Sequence, residues 1–267
     1  MRAVLVVIAL ATGSTSAVAD IVPATDVPLD ADVVVMGEVH DVGAHHENQA
    51  KWIRVLEPSA VVLEMLPPDL GPVAEAHRGA GAETLGIALD WEERGWPDFT
   101  LYHPIFAAAG QAAILGAEVP RDALGLAVAE GASAAFGGDS AIFGLDAAVP
   151  EDELDLRKAE QSAAHCDLMP QEMLAGMVEA QRLRDARLAQ ATLEAVDATG
   201  GPVAVVTGNG HARRDRGVPA MLALARPDLS VVAIGQYTEA LQDAPFDAVV
   251  ISGNRAGTDS DPCAALR

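Results

Sequence analysis

Five short apolar runs punctuate the chain. Residues 31–36 read Ala-Asp-Val-Val-Val-Met, 60–63 Ala-Val-Val-Leu and 202–206 Pro-Val-Ala-Val-Val. Residues 229–234 and 248–251 follow the same style less strongly. Continuous β-branched runs of this length, bounded by Gly, Pro and polar clusters, predict strands buried on both faces. Between them the period changes. Residues 44–56 carry His45, Gln49, Trp52 and Leu56 on one helical stripe, and Pro58 ends it. Helices are also predicted over 104–115, with Pro104 in the first position, over 151–164 and over 170–196. A short strand is expected near Glu118 and Val119, and short helices within 67–96. Residues 122–150 are rich in Gly and Ala and carry no clear period. Strands alternating with helices predict an α/β fold, a mainly parallel sheet flanked by helices with helical excursions. No linker-like stretch divides it, so residues 20–267 are expected to form one domain.

The first residues have a different character. Arg2 precedes the apolar run 3–11, and Ala17-Val18-Ala19 offers small residues around a cleavage point. The apolar run is about half of the ~20 residues needed to cross a bilayer. Residues 1–19 are therefore expected to be a signal peptide cleaved after Ala19, giving a periplasmic protein that starts at Asp20. No Cys stands at the cleavage point, so no stable membrane anchor of the lipoprotein type is expected.

Charge narrows the partners. The chain has 17 Lys and Arg against 39 Asp and Glu, a formal net charge of −22. Such a surface repels phosphate backbones and anionic lipid, and 4% aromatic residues offer little stacking surface, so nucleic acid is excluded as a partner class. Cys166 and Cys263 are the two cysteines of the chain; in an exported protein they are expected to pair, tying the polar C-terminal segment to the domain.

Ligands of open α/β sheets gather beyond the carboxyl ends of the strands. Here those ends carry Gly37-Glu38-Val39-His40-Asp41, then Glu64, then Gly208-Asn209-Gly210-His211-Ala212-Arg213. No dinucleotide or phosphate-loop fingerprint accompanies them. Glu38, His40, Glu64 and His211 are thus candidates for one site, either as acid–base groups or, for Glu38, His40 and His211, as ligands of a divalent metal such as zinc or manganese. The 170–196 stripe runs Leu174, Val178, Gln181, Asp185, Leu188, Thr192, Val196. Gln181 and Asp185 interrupt a core-facing row, and a carboxylate there needs a partner, with Arg184 and Arg213 as candidates.

The segments VVVMGEVHD, AHHENQAKWI, VVLEM, WPDFTLYHPIF, HCDLMP, EAQRLRDARLAQ and VVTGNGHARRDRGVP, in this order from Asp32 to Pro219, resemble the ChaN-like haem-binding proteins of the wider Tiki/TraB and erythromycin-esterase-like superfamily. The resemblance implies an exported α/β protein that binds haem and takes part in haem or iron uptake. Where relatives tend to have Tyr-Arg-Pro, this chain has Tyr102-His103-Pro104. Tyr102 is the expected ligand of the haem iron, because phenolate suits ferric haem, with His103 as a second candidate. Trp91, Trp96, Phe99 and Phe106 would supply an apolar wall, and Arg213 or Arg214 would meet the propionates, with Gln181 and Asp185 nearby. The superfamily also contains metal-dependent peptidases and an esterase, so a metal-dependent hydrolase built on the Glu/His cluster is the alternative. Whether the chain forms a homodimer is open.

The leader reading has a direct check. Protein recovered from the periplasm of a bacterial host should begin at Asp20 by mass spectrometry; an intact Met1 on that product would refute it.

Overall fold

The computed structural model describes residues 19–240 and 244–253. Its strands are β1 Asp20–Ile21, β2 Val33–Glu38, β3 Ala60–Leu63, β4 Ala113–Gly116, β5 Val203–Gly208, β6 Val231–Tyr237 and β7 Ala248–Ile251. The helices are α1 Gly43–Leu56, α2 Gly71–Ala76, α3 Ala82–Ala88, α4 Phe99–Ala108, α5 Arg121–Glu130, α6 Ala132–Phe136, α7 Glu151–Ala164, α8 Gln171–Thr199 and α9 Val218–Ala225. The expected signal peptide and Cys263 lie outside the described residues, apart from Ala19.

All seven strands are parallel, in the order β1-β7-β6-β2-β5-β3-β4. Parallel pairing needs helical crossovers, and these cover both faces. Alternate residues of the central strands feed two cores. Val33, Val35, Val203 and Val205 pack with α8, α9, α5 and α6. Val34, Met36, Ala204 and Val206 pack with Trp52 and Ile53 of α1 and with Tyr102, Ile105 and Phe106 of α4. Double-sided burial explains why the β2, β3 and β5 sequences are unbroken apolar runs.

Two expectations need correction, and one element is new. The helix predicted over 104–115 runs over Phe99–Ala108, with Pro104 inside it. The Asp98 carboxylate accepts a hydrogen bond from the Thr100 amide at 2.8 Å and starts the helix earlier than Pro104 suggests. Gly110, at φ +55°, ends the segment, and 113–116 pairs with β3 as an edge strand in place of one near 118–119. Edge pairing is a tertiary contact with little local signal. The strand β1, which pairs with β7, has no counterpart among the predicted elements.

Register sets the site. Glu38 lies opposite Gly208, and Leu63 opposite Val206, so the ends of β2, β5 and β3 come out side by side at the centre of one sheet edge. A buried amide network locks them. The Gln236 amide N–H donates to Asn209 Oδ1 at 3.0 Å, Gln236 Nε2 donates to the Gly37 carbonyl at 2.8 Å, and Gln49 Nε2 donates to the Met36 carbonyl at 2.9 Å. A Cβ on Gly37 would lie 2.4 Å from Asn209 Oδ1 and 2.9 Å from the Ile234 carbonyl. Gly37→Ala is expected to destabilise the fold by ~1–3 kcal/mol in urea unfolding, as overpacking does. A change under ~0.5 kcal/mol would show that the network can yield.

Candidate functional site

The carboxyl edge of the sheet holds two histidine–carboxylate groups in one crevice. In the first, Glu38 ends β2 fully buried, and the His40 ring follows in the turn, with Nδ1 2.8 Å from Glu38 Oε1. The Tyr102 hydroxyl, delivered by α4, donates to the same oxygen at 3.1 Å. His46 of α1 is wholly buried with Nε2 3.2 Å from Glu38 Oε2, outside hydrogen-bond geometry, so that contact is electrostatic. Burial works to raise the Glu38 pKa, but the hydrogen bond of His40 and the electrostatic pull of both imidazoles outweigh it and hold the carboxyl at about 2.

In the second group, Glu64 follows β3 and accepts from Thr207 Oγ1 at 2.7 Å and from the Gly208 amide at 2.8 Å. His211 lies across it, Nε2 3.3 Å from Glu64 Oε1 and Nδ1 2.6 Å from Asp185 Oδ1 of α8. Gln181, one turn earlier, reaches His211 Nδ1 at 3.1 Å. Burial opposes charge on His211, yet the two carboxylates overcome it and push the imidazole up to about 10. Burial likewise pushes Asp185 up, while the charge and hydrogen bond of His211 hold Glu64 well below its usual range in spite of its burial.

The groups meet at Gly208. A Cβ there would lie 3.0 Å from His40 Nε2 and 3.7 Å from Glu64 Oε2, so the absence of a side chain makes room for the imidazole. The His40 side chain is 34% exposed, whereas Glu38, Glu64, His211 and Asp185 are closed off. Its Nδ1 is fixed by Glu38, leaving Nε2 facing the crevice. The arrangement can hold one histidine charged, orient a second, and present one nitrogen to a ligand.

Glu38, His40, Glu64, His211 and Asp185 thus converge as the strand-end reading expected, with Gln181 beside them. The partner of Asp185 is His211, not Arg184 or Arg213. Arg213 lines a neighbouring cleft of about 290 Å³ but pairs with Asp215 at 2.7 Å, and Arg214 pairs with Asp247 away from the crevice. His103 turns its Nε2 to the Ala80 carbonyl at 2.9 Å. The divalent-metal set Glu38, His40 and His211 is not gathered: among the described residues no three His, Cys, Asp or Glu side chains are placed to hold an ion. Of the expected aromatic wall, Phe106 is buried in the core, while Trp91, Trp96 and Phe99 also line a separate cleft of about 740 Å³. Trp91 lies 4.9 Å from Tyr102 and 5.0 Å from Phe99 between ring centroids, all three buried, and only Trp96 reaches the crevice, its ring 5.1 Å from His40. The Tyr102 phenol is buried as well, and burial and then Glu38 push its pKa far above the ordinary range. Thr207, Gln236 and Asn48 went unnoticed as supports. Thr207 is the side-chain position after the β5 run, a hydroxyl where a buried strand would otherwise be apolar, and that was the available signal.

The charge on His211 makes stability depend on pH. Its folded pKa of about 10 stands above the ordinary 6.5, so its contribution is full below 6.5 and is lost as pH rises towards 10. Glu38, lowered from 4.5 to about 2, contributes above 4.5 and loses that as pH falls. The urea midpoint is expected to drop between pH 7 and 10. In His211→Gln the unfolding free energy should be lower by ~3 kcal/mol at pH 7, from carboxylates left unpaired, and its pH dependence flatter on the alkaline side. An unchanged alkaline slope in that variant would refute the assignment.

Comparison with known proteins fits this picture. No match is found among curated proteins. Among solved structures, the chain is similar to one described as cofacial haem binding to ChaN of Campylobacter jejuni, at 22% identity and a TM-score of 0.60, over 83% of this chain and 87% of that one. An erythromycin esterase variant in its open conformation is similar at 16% identity and a TM-score of 0.45, over 78% and 71% of the two chains. At these identities the first likeness establishes the α/β fold. The family model described as haem-binding uptake, Tiki superfamily, ChaN matches residues 26–222. The chain belongs to the ChaN haem-binding uptake family of the Tiki superfamily.

Proposed function

We propose that the protein binds haem and acts in haem or iron handling as an exported, periplasmic protein with the 166–263 disulfide closed. The reading rests on the family match across 26–222, which takes in the whole strand-end cluster. The donor chemistry of the crevice fits such a ligand at one point. His40 presents Nε2 outwards while Glu38 fixes Nδ1, the pairing by which a carboxylate orients a histidine ligand. His40, rather than Tyr102 or His103, is the side chain that would hold the iron. The haem brings the redox and ligand-binding chemistry of its iron; the chain contributes a fixed imidazole and a buried charge network that keeps it in place.

A second reading is acid–base hydrolysis without metal, favoured by one observation: His211 is held charged between two carboxylates while His40 keeps an open nitrogen beside it. The two readings separate in one titration. Hemin added to purified protein should give a saturable absorbance change. His40→Ala should weaken binding roughly ten-fold or more and alter the ferric spectrum, as loss of an axial ligand does. Tyr102→Phe should leave the spectrum close to wild type. The opposite pattern would return the ligand role to Tyr102, and no hemin binding at all would leave the hydrolytic reading.

A further inference from the structure

Beside the crevice, beyond the ends of β3 and β4, lies a cleft of about 300 Å³ lined by Glu64, Arg94, Trp96, Glu118, Arg121 and Arg184 among others. In a chain with a net charge of −22, three guanidiniums in one cleft are a concentration that needs a reason. Internal pairing accounts for only one of them. Arg94 Nη1 lies 3.1 Å from Glu118 Oε2. Arg184 comes only to 3.8 Å from Glu64, a carboxylate already engaged by Thr207, Gly208 and His211. Arg121 has no ion pair among the described residues, and it is exposed at the mouth of the cleft. The cleft holds two acids, Glu64 and Glu118, and Glu64 is already engaged by the buried network, so Glu118 faces all three guanidiniums. Trp96 adds an independent observation: its Nε1 is buried and has no hydrogen-bond partner. A buried indole N–H is a donor without an acceptor, which costs free energy unless a ligand or water answers it.

The cleft around Asp185 and Arg213 makes the contrast. There Arg157 pairs with Glu153, Arg213 with Asp215 and Arg216 with Glu160, so each guanidinium is already answered.

We propose that the Arg121–Arg184–Trp96 cleft is a carboxylate subsite. Guanidiniums supply forked donors that match a carboxylate, and the indole N–H supplies one more. Because the Trp96 ring lies 5.1 Å from that of His40, a ligand anchored there by its carboxylate lies beside the open Nε2. For haem the group is a propionate, and that version rests on the function proposed above. A small carboxylic acid is the other source of the same chemistry, and it needs no haem.

The test compares hemin, its dimethyl ester and succinate on wild-type protein and on the variants Arg121→Gln and Arg121→Gln/Arg184→Gln. Both positions are solvent-accessible, and circular dichroism checks that the fold is kept. Wild type should bind hemin roughly ten-fold or more tightly than the ester, and the double variant should lose that preference while binding the ester unchanged. Succinate should change the tryptophan fluorescence of wild type saturably, and not that of the double variant. If neither porphyrin binds but succinate does so in an arginine-dependent way, the haem function fails and the subsite stands. If no probe responds to removal of the two arginines, the subsite is overturned.

Discussion

The Glu64 carboxylate lies beneath the crevice with Thr207 Oγ1 and the Gly208 amide on one oxygen and His211 against the other. A buried anion of this kind is tolerable only while every partner stays in place, since stripping one leaves an uncompensated charge in a poorly polarisable interior. That condition propagates outwards. His211 must stay charged, which requires Asp185 on its far nitrogen, which in turn fixes the rotation of α8 over the sheet. Glu38 repeats the arrangement on β2, on the other side of β5, with His40, His46 and Tyr102 drawn in from the β2 turn, α1 and α4. The helices on both faces are thus pinned at the sheet edge by electrostatics as much as by their apolar stripes.

Such rigidity has a consequence for ligands. Groups that neutralise one another are unavailable to a metal or a substrate, and most of this cluster is therefore scaffold. What stays available is at the rim: His40 Nε2, the Trp96 edge, and the guanidiniums that their neighbours leave unanswered. The clefts beside the cluster, of about 290 and 300 Å³, suit the polar end of a ligand better than a whole macrocycle.

Much of this was legible in the order of residues, for reasons that can be named. The central strands are readable because a parallel strand covered on both faces has no polar alternation, and Val33-Val34-Val35 or Val203-Ala204-Val205-Val206 fits little else. The site is readable because polar residues directly after such runs must emerge at one edge; Glu38, Glu64 and His211 do so. Asp185 was visible as a charge in the wrong place on an apolar stripe. Its partner was not, because a carboxylate suits arginine and histidine equally and only the register of β5 under α8 decides. The surroundings of Tyr102 were harder to read for a related reason. Its neighbours Trp91, Phe99 and Phe106 look alike as a ligand wall or as core, and the α4 phase that turns them inward begins at Asp98, six residues ahead of the proline that seemed to mark the start.

Of the three tryptophans, Trp52 and Trp91 are sealed in the core, and Trp96 alone stands at the rim with its ring against an imidazole. Indole emission is quenched by a nearby imidazolium and shifts to the red as water reaches the ring. The protein therefore carries a built-in optical reporter at the one place where its buried charge network opens to solvent, set against two tryptophans that hold a steady background.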